Sequence, residues 1–345
     1  MAKTIAVALL TNAEGAHVGA YLQALAATEA CQNVVLGDPD GRWEDDARRV
    51  LGGKLTRVYR EHHQLLNEES LGMALVTLEA GLAPPVIQLA LDANCHVFAE
   101  KPACVRTQDF ARLTRQADSK HRHLMLALAN RSNSEIIAAQ RLIRSGEIGT
   151  IYGLEMHLVA DQTRLTRPAY HRRWFAHKDR AGGGHLIWLG IHWLDLAMFL
   201  TETAVTSACG FTANVGGQPI DIEDSAAAAL QFANGTLGTM TSGYYLDKGY
   251  HTHIKIWGSA GWLRIQTVTE PRLQWVSTTG DQAGQIQNWK ASQRQSGYTP
   301  FVKAAIEACA QDTAPPISNS DSLRALQTVF GIYESARTGR TVRIG

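Results

Sequence analysis

The first hundred residues alternate short apolar runs with helical segments, and this pattern constrains the fold more than any other feature of the sequence. Residues 4–10 form a continuous apolar run, followed by a polar turn at 11–15 and a helical stretch at 18–27. The pattern recurs downstream, with strands predicted at 33–37, 74–78 and 96–99 and a helix at 85–93. Buried strands that alternate with helices are typical of a parallel sheet covered on both faces.

A different pattern begins near residue 129. A helix is predicted over 135–144, between Asn133-Ser134 and Ser145-Gly146. Alternating apolar and polar residues then predict strands at 153–159, 226–232, 237–242, 254–257 and 262–265, with a tight hairpin turn at Asn234-Gly235. We therefore expect an α/β domain at 1–128 and, at 129–345, an α+β domain with an open-faced, mostly antiparallel sheet.

The charge of the chain limits the ligands that it can bind. The formal net charge is +1 over 345 residues, and the lysines and arginines are spread along the chain. Nucleic acids and anionic membranes are bound by concentrated positive charge. We therefore expect a small-molecule partner, and neither a nucleic acid nor a membrane.

Cysteine usage indicates the compartment. The cysteines are far apart, odd in number and without metal-ligand spacing: Cys31, Cys95, Cys104, Cys209 and Cys309. This pattern predicts small core residues in a reducing compartment and no metal site. Because the N-terminus lacks the pattern of a signal peptide, the sequence predicts a cytoplasmic protein.

The turn after the first predicted strand reads Leu10-Thr-Asn-Ala-Glu-Gly15-Ala-His-Val-Gly19. A dinucleotide-binding fold has its glycine-rich phosphate loop here, although an ordinary turn would also explain a segment with only two glycines. Asp38 ends the second strand, where an acid binds the ribose diol of NAD and repels the 2′-phosphate of NADP; aspartate before proline is also common in turns. We predict NAD in preference to NADP, with contacts from Thr11, Asn12, Gly15, His17 and Asp38.

Another predicted strand ends in Glu100-Lys101-Pro102. Neighbouring Glu and Lys side chains are usually solvated surface charges, but ligands bind at the carboxyl edge of a parallel sheet. A cationic nicotinamide ring nearby would disfavour the charged form of lysine, which suits Lys101 to proton exchange with a hydroxyl. Lys101 is therefore a candidate catalytic residue.

Three glycines at 182–184 precede a long apolar stretch. This order predicts a buried helix with its N-terminus exposed in a cleft. A lone buried histidine is usually a core residue, but here two histidines, an indole and a carboxylate are spaced to lie on one helical face. These residues are His185, Trp188, His192 and Asp195.

The chain resembles the Gfo/Idh/MocA family, named for glucose-fructose oxidoreductase and inositol dehydrogenase. The resemblance rests on Glu100-Lys101-Pro102, Ala129-Asn130-Arg131, Gly182-Gly-Gly184, Gly190-Ile-His192-x-x-Asp195, Glu223-Asp224-Ser225 and Gly258-x-x-Gly261. It implies a Rossmann domain followed by an open-faced sheet domain, commonly assembled through that sheet into a homodimer or homotetramer. It also implies that Lys101 lies near nicotinamide and substrate, often with a cis bond to Pro102, and that His192 is a general base. We add Glu100, Asn130 and Arg131 as candidate cofactor contacts.

The sequence departs from the family pattern at the site itself. Family members usually carry an aspartate at the position of Trp188, whose indole offers one N–H donor and a flat face on which a sugar can stack. His185 replaces a small residue and is a candidate for the missing polar function. The segment before the glycines is rich in cations and aromatic rings, as in a solvated loop or an anion-binding pocket. Candidate substrate contacts there are Arg164, His171, Arg172, Trp174 and Lys178.

Three functions are compatible with these residues. The first is NAD-dependent hydride transfer from a hydroxyl carbon of a sugar, glycoside or polyol, neutral or anionic, with Lys101 and His192 handling the proton. The second is a glycosidase that uses NAD transiently, by oxidation at sugar carbon 3, elimination, water addition and reduction, with Tyr170, His171 or His185 as an additional acid or base. The third is a catalytically silent NAD-binding sensor. The sequence does not name the sugar.

Overall fold

The computed structural model describes residues 3–246, 248–291 and 294–345, without the side chains of Arg164 and Leu246. The chain divides into two compact units. The first unit contains Met1–Ala129, Lys178–Gly182 and Ser296–Leu323. The second contains Asn130–His177, Gly183–Gln295 and Arg324–Gly345.

The first unit is built on a six-stranded parallel sheet with the order β3-β2-β1-β4-β5-β6. This is the order of a doubly wound dinucleotide-binding sheet, whose ligands bind beyond the carboxyl ends of the strands. The strands are β1 Ile5–Thr11, β2 Cys31–Gly37, β3 Leu55–Tyr59, β4 Met73–Thr77, β5 His96–Ala99 and β6 Leu124–Leu126. The helices between them are α1 Val18–Ala27, α2 Glu44–Leu51, α3 His62–Glu68, α4 Ala83–Asp92 and α5 Thr107–Ser119, with a 3-10 turn at Gly52–Lys54.

The predicted strands of this unit are confirmed, but two strands were not predicted. In β3 the exposed Thr56 and Arg57 interrupt the apolar pattern, as expected of a strand at the edge of a sheet. The other edge strand, β6, has only three residues, too few to show a period.

The later chain contributes two further segments to the first unit. They include α8 Lys178–Ala181 and α10 Tyr298–Gln311, and the latter packs against α1. The predicted boundary at 128/129 would place these segments in the second unit, whereas they belong to the first. The difference arises because α10 buries Phe301, Val302 and Ile306 completely, a packing partner that no local pattern indicates.

The second unit is built on a nine-stranded sheet with the order β14-β13-β12-β11-β7-β10-β9-β8-β15. The expectation of a mostly antiparallel sheet is confirmed, with one parallel pair between β7 and β10. The strands are β7 Ile151–Asp161, β8 Val205–Ala213, β9 Ser225–Phe232, β10 Leu237–Leu246, β11 His251–Gly258, β12 Gly261–Ile265, β13 Leu273–Ser277, β14 Gln287–Asn288 and β15 Val342–Arg343. The helices are α6 Ser134–Arg144, α7 Pro168–His171, α9 Ile191–Thr201 and, from residue 324 onward, α11 Asn319–Thr338.

Local signals explain much of this second sheet. The predicted hairpin turn joins β9 to β10, which pair antiparallel, and Gly235 has the positive φ of 87° that such a turn requires. Along β11, Thr252, Ile254 and Ile256 are buried while the residues between them are more exposed, so one face of the sheet is covered. Assembly of copies through the other face stays a prediction.

One helical stretch of the chain is unusually apolar. Within the described chain, the helical stretch Lys178–Thr201 is apolar and long enough to cross a membrane, but 72% of its most apolar window is buried within the protein. The core helices of folded domains show this same combination of length and burial.

Four cysteines are buried as predicted, whereas Cys209 on β8 is exposed, so the prediction of a core position was wrong there. An outward position on an antiparallel strand explains its exposure.

Candidate functional site

The loop between β1 and α1 is held by its own side chains. The hydroxyl of Thr11 donates to the carbonyl of Thr77 at 3.1 Å, and Asn12 Oδ1 accepts from the backbone N–H of Glu14 at 3.0 Å. A Cβ on Gly15 would lie 2.2 Å from Thr11 Oγ1 and 2.8 Å from the Thr77 carbonyl, so only glycine fits. Thr11, Asn12 and Gly15 therefore shape the loop, and their contact with a cofactor stays a prediction.

Asp38 lies buried at the end of β2, next to this loop. Its Oδ2 accepts a hydrogen bond from the Trp43 backbone N–H at 2.7 Å, while Trp43 Nε1 donates to the Asn12 carbonyl at 2.9 Å. Within the described part of the chain, Asp38 Oδ1 is buried and has no hydrogen-bond partner. A buried acceptor without a donor is costly, and a ribose hydroxyl would satisfy it. This carboxylate therefore fits the adenosine ribose of a dinucleotide.

Glu100 and Lys101 follow β5 and are buried, with 1% and 2% of their surface exposed. Lys101 Nζ lies 3.9 Å from Glu100 Oε1, and the hydroxyl of Tyr21 donates to Glu100 Oε2. Burial raises the pKa of Glu100 to about 7, although the charge of Lys101 and the Tyr21 hydrogen bond oppose the shift. The bond from Lys101 to Pro102 is cis, as the resemblance implies. The predicted catalytic lysine is thus a buried residue with a buried carboxyl neighbour.

His17 and Tyr298 lie beside this pair. His17 begins α1 in a left-handed conformation, with φ of 58°, and its ring centroid lies 5.1 Å from that of Tyr298. Burial and the charge of Lys101 lower the pKa of His17 to about 4, so this histidine is neutral at pH 7. Tyr298 was missed by sequence reasoning because it begins α10, about 200 residues after Lys101 in the chain. Nothing in its local pattern indicates that it packs on α1.

Replacement of Glu100 by glutamine should change how stability depends on pH. The folded-state pKa of Glu100 is raised from 4.5 to about 7, so the stability of the neutral form is lost as the pH rises through that window. Relative to Glu100→Gln, the wild type should lose up to about 3 kcal/mol between pH ~4.5 and ~7 and nothing further above it. Urea denaturation at a series of pH values measures this difference. The variant Glu307→Gln on exposed α10 surface is the control, and equal slopes for all three proteins would contradict the prediction.

The glycines at 182–184 do not leave an open helix N-terminus, and that prediction was wrong. The Glu223 carboxylate accepts from the backbone N–H groups of Gly184 at 2.7 Å and Leu186 at 2.9 Å, and the Tyr333 hydroxyl donates to it at 2.8 Å. A Cβ on Gly184 would lie 1.9 Å from the Glu223 carbonyl oxygen, and one on Gly183 would lie 2.2 Å from the Tyr333 hydroxyl. Gly183 and Gly184 are therefore required because the Tyr333 hydroxyl and the Glu223 backbone leave no room for a Cβ where Glu223 caps this helix.

The predicted one-sided stripe of His185, Trp188, His192 and Asp195 is interrupted. Leu186–Gly190 is a π-helical turn, and the α-helix begins only at Ile191. A π turn is wider than an α turn, so the α-helical spacing on which the stripe depends is lost across it. Such turns are frequent at functional sites, so the π turn itself favours a site here, although the α-helical spacing does not.

His185 has no exposed surface and packs in the interior of the second unit. Its Nδ1 lies 2.6 Å from the Ser242 hydroxyl on β10, and its ring contacts that of Tyr244 edge-on at 4.4 Å. The sequence analysis proposes His185 as an additional acid or base, but its side chain has no surface that a substrate could contact. Any catalytic effect of His185 would have to pass through neighbouring residues.

An aromatic cluster surrounds Trp188. Its ring centroid lies 5.4 Å from that of Trp174 and 5.6 Å from that of Phe175, and Tyr170 lies 4.8 Å from Phe175. Trp174 is 1% exposed, so it has almost no surface for the predicted substrate contact. It packs instead against the rings of Phe175 and Trp188. Trp188, Phe175 and Tyr170 are partly exposed. They are therefore the aromatic residues of this cluster that keep some surface for a ligand.

Asp195 and Arg131 form a buried ion pair within the second unit. Arg131 Nε donates to Asp195 Oδ2 at 2.9 Å and Nη2 donates to Oδ1 at 2.6 Å, with 6% and 1% of the two residues exposed. This pairing occupies the guanidinium that was predicted to contact the cofactor. His192, one turn before Asp195, is partly exposed. Asp195 therefore has a structural role, and the role of His192 stays a prediction.

The other candidate residues are distributed over both units. Arg172 is exposed, His171 and Asn130 are partly buried, and all three belong to the second unit; the exposed Lys178 belongs to the first. The side chain of Arg164 lies outside the described residues. Over the described parts of the chain, no group of three or more histidines, cysteines or acids could hold a metal ion.

Comparison with known proteins gives the same result for both units. Residues 12–128 match the oxidoreductase family with an NAD-binding Rossmann fold, and residues 136–264 match the GFO/IDH/MocA C-terminal domain. Myo-inositol 2-dehydrogenase of Thermotoga maritima is 21% identical, over 87% of this chain and 88% of the relative. NADP-dependent D-xylose 1-dehydrogenase of Haloarcula marismortui is 22% identical, over 94% of this chain and 89% of the relative.

A solved structure agrees at the level of the fold. The WlbA dehydrogenase of Bordetella pertussis, in complex with NADH and UDP-GlcNAcA, superimposes with a TM-score of 0.82 at 22% identity. The alignment covers 100% of this chain and 98% of that one. Because the two family matches cover most of the chain in the order of its two sheets, the chain belongs to the Gfo/Idh/MocA family of oxidoreductases.

Proposed function

We propose that this chain is an NAD-dependent dehydrogenase that oxidises a hydroxyl carbon of a sugar, glycoside or polyol. The observation that carries the proposal is the buried Lys101 at the carboxyl end of β5, in a sheet of the order found in dinucleotide-binding domains. The relatives named above are dehydrogenases of inositol and xylose, which supports a polyhydroxylated substrate. They lend no support to the glycosidase alternative.

The proposed cofactor site uses residues of the first unit. Asp38 would accept the ribose hydroxyl groups, and the α1 N-terminus, which has no side-chain cap and no acid in its first turn, would face the pyrophosphate. The turn at Gly15 brings the backbone to this position without a side chain in the way. When bound, the nicotinamide accepts the hydride; the chain supplies orientation and proton transfer.

The residues proposed for proton transfer are Lys101 and His192. His192 takes the hydroxyl proton together with Lys101, as the family resemblance implies. The side chain of Lys101 is buried, so its amine is largely shielded from water. The exposed Arg172 is a candidate to hold an anionic group of the substrate.

A single assay tests the proposed function. The purified protein is incubated with NAD⁺ and a panel of sugars, polyols and aryl glycosides, while NADH absorbance and free aglycone are both followed. Net NADH formation supports a dehydrogenase. Release of aglycone without net NADH would indicate the glycosidase, and neither signal over the whole panel would indicate a silent binding protein.

Replacement of Asp38 by asparagine should weaken the preference for NADH. The amide oxygen can still accept the Trp43 N–H, but the negative charge that repels a 2′-phosphate is lost. Because hydrogen bonds to charged groups contribute about 1.5–3 kcal/mol, we expect NADH to bind roughly tenfold to a hundredfold more weakly while NADPH binds more tightly. Fluorescence titration with both nucleotides measures the ratio of dissociation constants. The variant Asp46→Asn removes an equal charge from the surface of α2, and an equal change of ratio in both variants would refute the role of Asp38.

A further inference from the structure

Glu100, Tyr21 and Tyr298 connect Lys101 to the surface of the first unit. We propose that these three side chains form a proton relay, through which a proton that reaches Lys101 during oxidation leaves the protein. The inference rests on the proposed function, since each oxidised hydroxyl group releases one proton. It gives a role in proton transfer to the buried Tyr21 and the partly exposed Tyr298, which the proposed reaction otherwise does not use.

The groups of the proposed relay are neighbours within the first unit. Lys101 Nζ lies 3.9 Å from Glu100 Oε1, and the Tyr21 hydroxyl donates to Glu100 Oε2. The rings of Tyr21 and Tyr298 pack edge-on, with their centroids 4.9 Å apart. Tyr21 and Glu100 are essentially without exposed surface, whereas Tyr298 is partly exposed. The path therefore runs from a buried amine to solvent, and a shift of the lysine side chain by about 1 Å brings it to hydrogen-bond distance.

These groups are better suited to transferring a proton than to stabilising the fold. A buried ion pair adds little to stability compared with apolar residues of the same volume, and the two tyrosine hydroxyls carry a further desolvation cost. Each group can donate one proton and accept another, as a relay requires. The pKa of Glu100, at about 7, allows the carboxylate to accept a proton near neutral pH and to release it again.

The step balances in protons and electrons. With nicotinamide bound, the C–H electron pair of the substrate would pass to the cofactor as hydride. The proton of the O–H bond passes to Lys101 as the charged Lys101 side chain releases one of its own. Lys101 gives a proton to the Glu100 carboxylate, Glu100 gives one to the Tyr21 oxygen as Tyr21 gives its own to Tyr298, and Tyr298 gives one to water. The hydroxyl groups then rotate back.

A histidine also lies beside the relay. His17 lies 5.1 Å from Tyr298 between ring centroids, and the charge of Lys101 contributes to lowering its pKa to about 4. At pH 6–9 His17 is therefore neutral and does not supply a competing acidic proton. Changes of activity in that range belong to the relay or to the substrate site.

The kinetic test compares Tyr21→Phe and Tyr298→Phe with Tyr59→Phe. Tyr59 is the matched control, because its hydroxyl also bonds glutamates, Glu68 at 3.1 Å and Glu69 at 2.8 Å, away from the relay. With the best sugar of the panel, both relay variants should lose roughly a hundredfold in kcat, with a larger solvent deuterium isotope effect and unchanged NADH affinity and KM. Wild-type kcat and isotope effect in Tyr21→Phe would overturn the relay while leaving the proposed dehydrogenase in place.

A second readout needs no substrate. Infrared difference spectra recorded across pH 5–9 should show the carbonyl band of a buried protonated carboxyl group, absent in Glu100→Gln and shifted in midpoint in Tyr21→Phe. If no panel sugar yields NADH, the proposed function fails, and this readout still tests the proposed path. A band that titrates identically in the wild type and Tyr21→Phe would show that the path does not exist.

Discussion

Replacement of Lys101 by methionine is expected to lower kcat about a thousandfold, within the range that a positioned acid–base group contributes. Methionine keeps much of the length and apolar volume of lysine but cannot carry a proton. The fold should tolerate this change, because Glu100 becomes protonated when its buried counter-charge is removed. Steady-state NADH formation measures kcat, and fluorescence titration should show an NADH dissociation constant within about tenfold of the wild-type value.

The control for this prediction is Lys303→Met. Lys303 also lies near a glutamate, with Nζ 3.8 Å from Glu307 Oε1, but its side chain is 55% exposed on α10. We expect wild-type kinetics from this variant. If Lys101→Met kept more than a tenth of wild-type kcat, Lys101 would not take part in proton transfer. The proton would then have to be handled by His192 without it.

The first unit could be predicted from its sequence because its strands are buried on both faces. Runs such as Val7–Leu10 and Val34–Leu36 have no exposed surface, so they appear in the sequence as continuous apolar segments. The edge strand β3 is partly exposed, so it has no continuous apolar run, and the sequence analysis did not predict it. The motif Glu100-Lys101-Pro102 was informative for the same reason, since charged residues directly after a buried strand must lie at the edge of the sheet.

The partners of the site residues could not be predicted, because they come from distant parts of the chain. Glu223 caps a helix that begins almost 40 residues earlier, and Tyr298 packs on a helix near the N-terminus. Local pattern assigned Gly184 to an open helix N-terminus, whereas the tertiary contact with Glu223 is what requires it. In the same way, Asp195 was grouped with the site by its spacing, although its partner Arg131 gives it a structural role. Spacing thus found the helix but not the function of each of its side chains.

Loss of the Asp195 carboxylate should be the most destabilising single change considered for the second unit. Asp195→Leu leaves the guanidinium of Arg131 buried without its bidentate partner, and arginine cannot lose its charge at any ordinary pH. Breaking a buried pair in this way costs about 3–5 kcal/mol. Arg131→Met should cost less in acid, because the carboxylate left behind can take up a proton. Urea denaturation midpoints at pH 5 and pH 8 measure both effects.

The double variant Arg131→Met/Asp195→Leu separates the cost of an unpaired charge from the value of the pair. If the cost arises from burying one charge alone, the double variant should be more stable than Asp195→Leu, since no charge then remains unpaired. The matched control is the exposed pair of Arg337 and Glu334, which has the same bidentate geometry at 3.0 and 2.7 Å. Glu334→Leu should leave the midpoint nearly unchanged, because water replaces the lost contact. Equal midpoints for Asp195→Leu and Glu334→Leu would mean that the buried pair contributes no more than a surface one, and the assignment of Asp195 to the structure would fail.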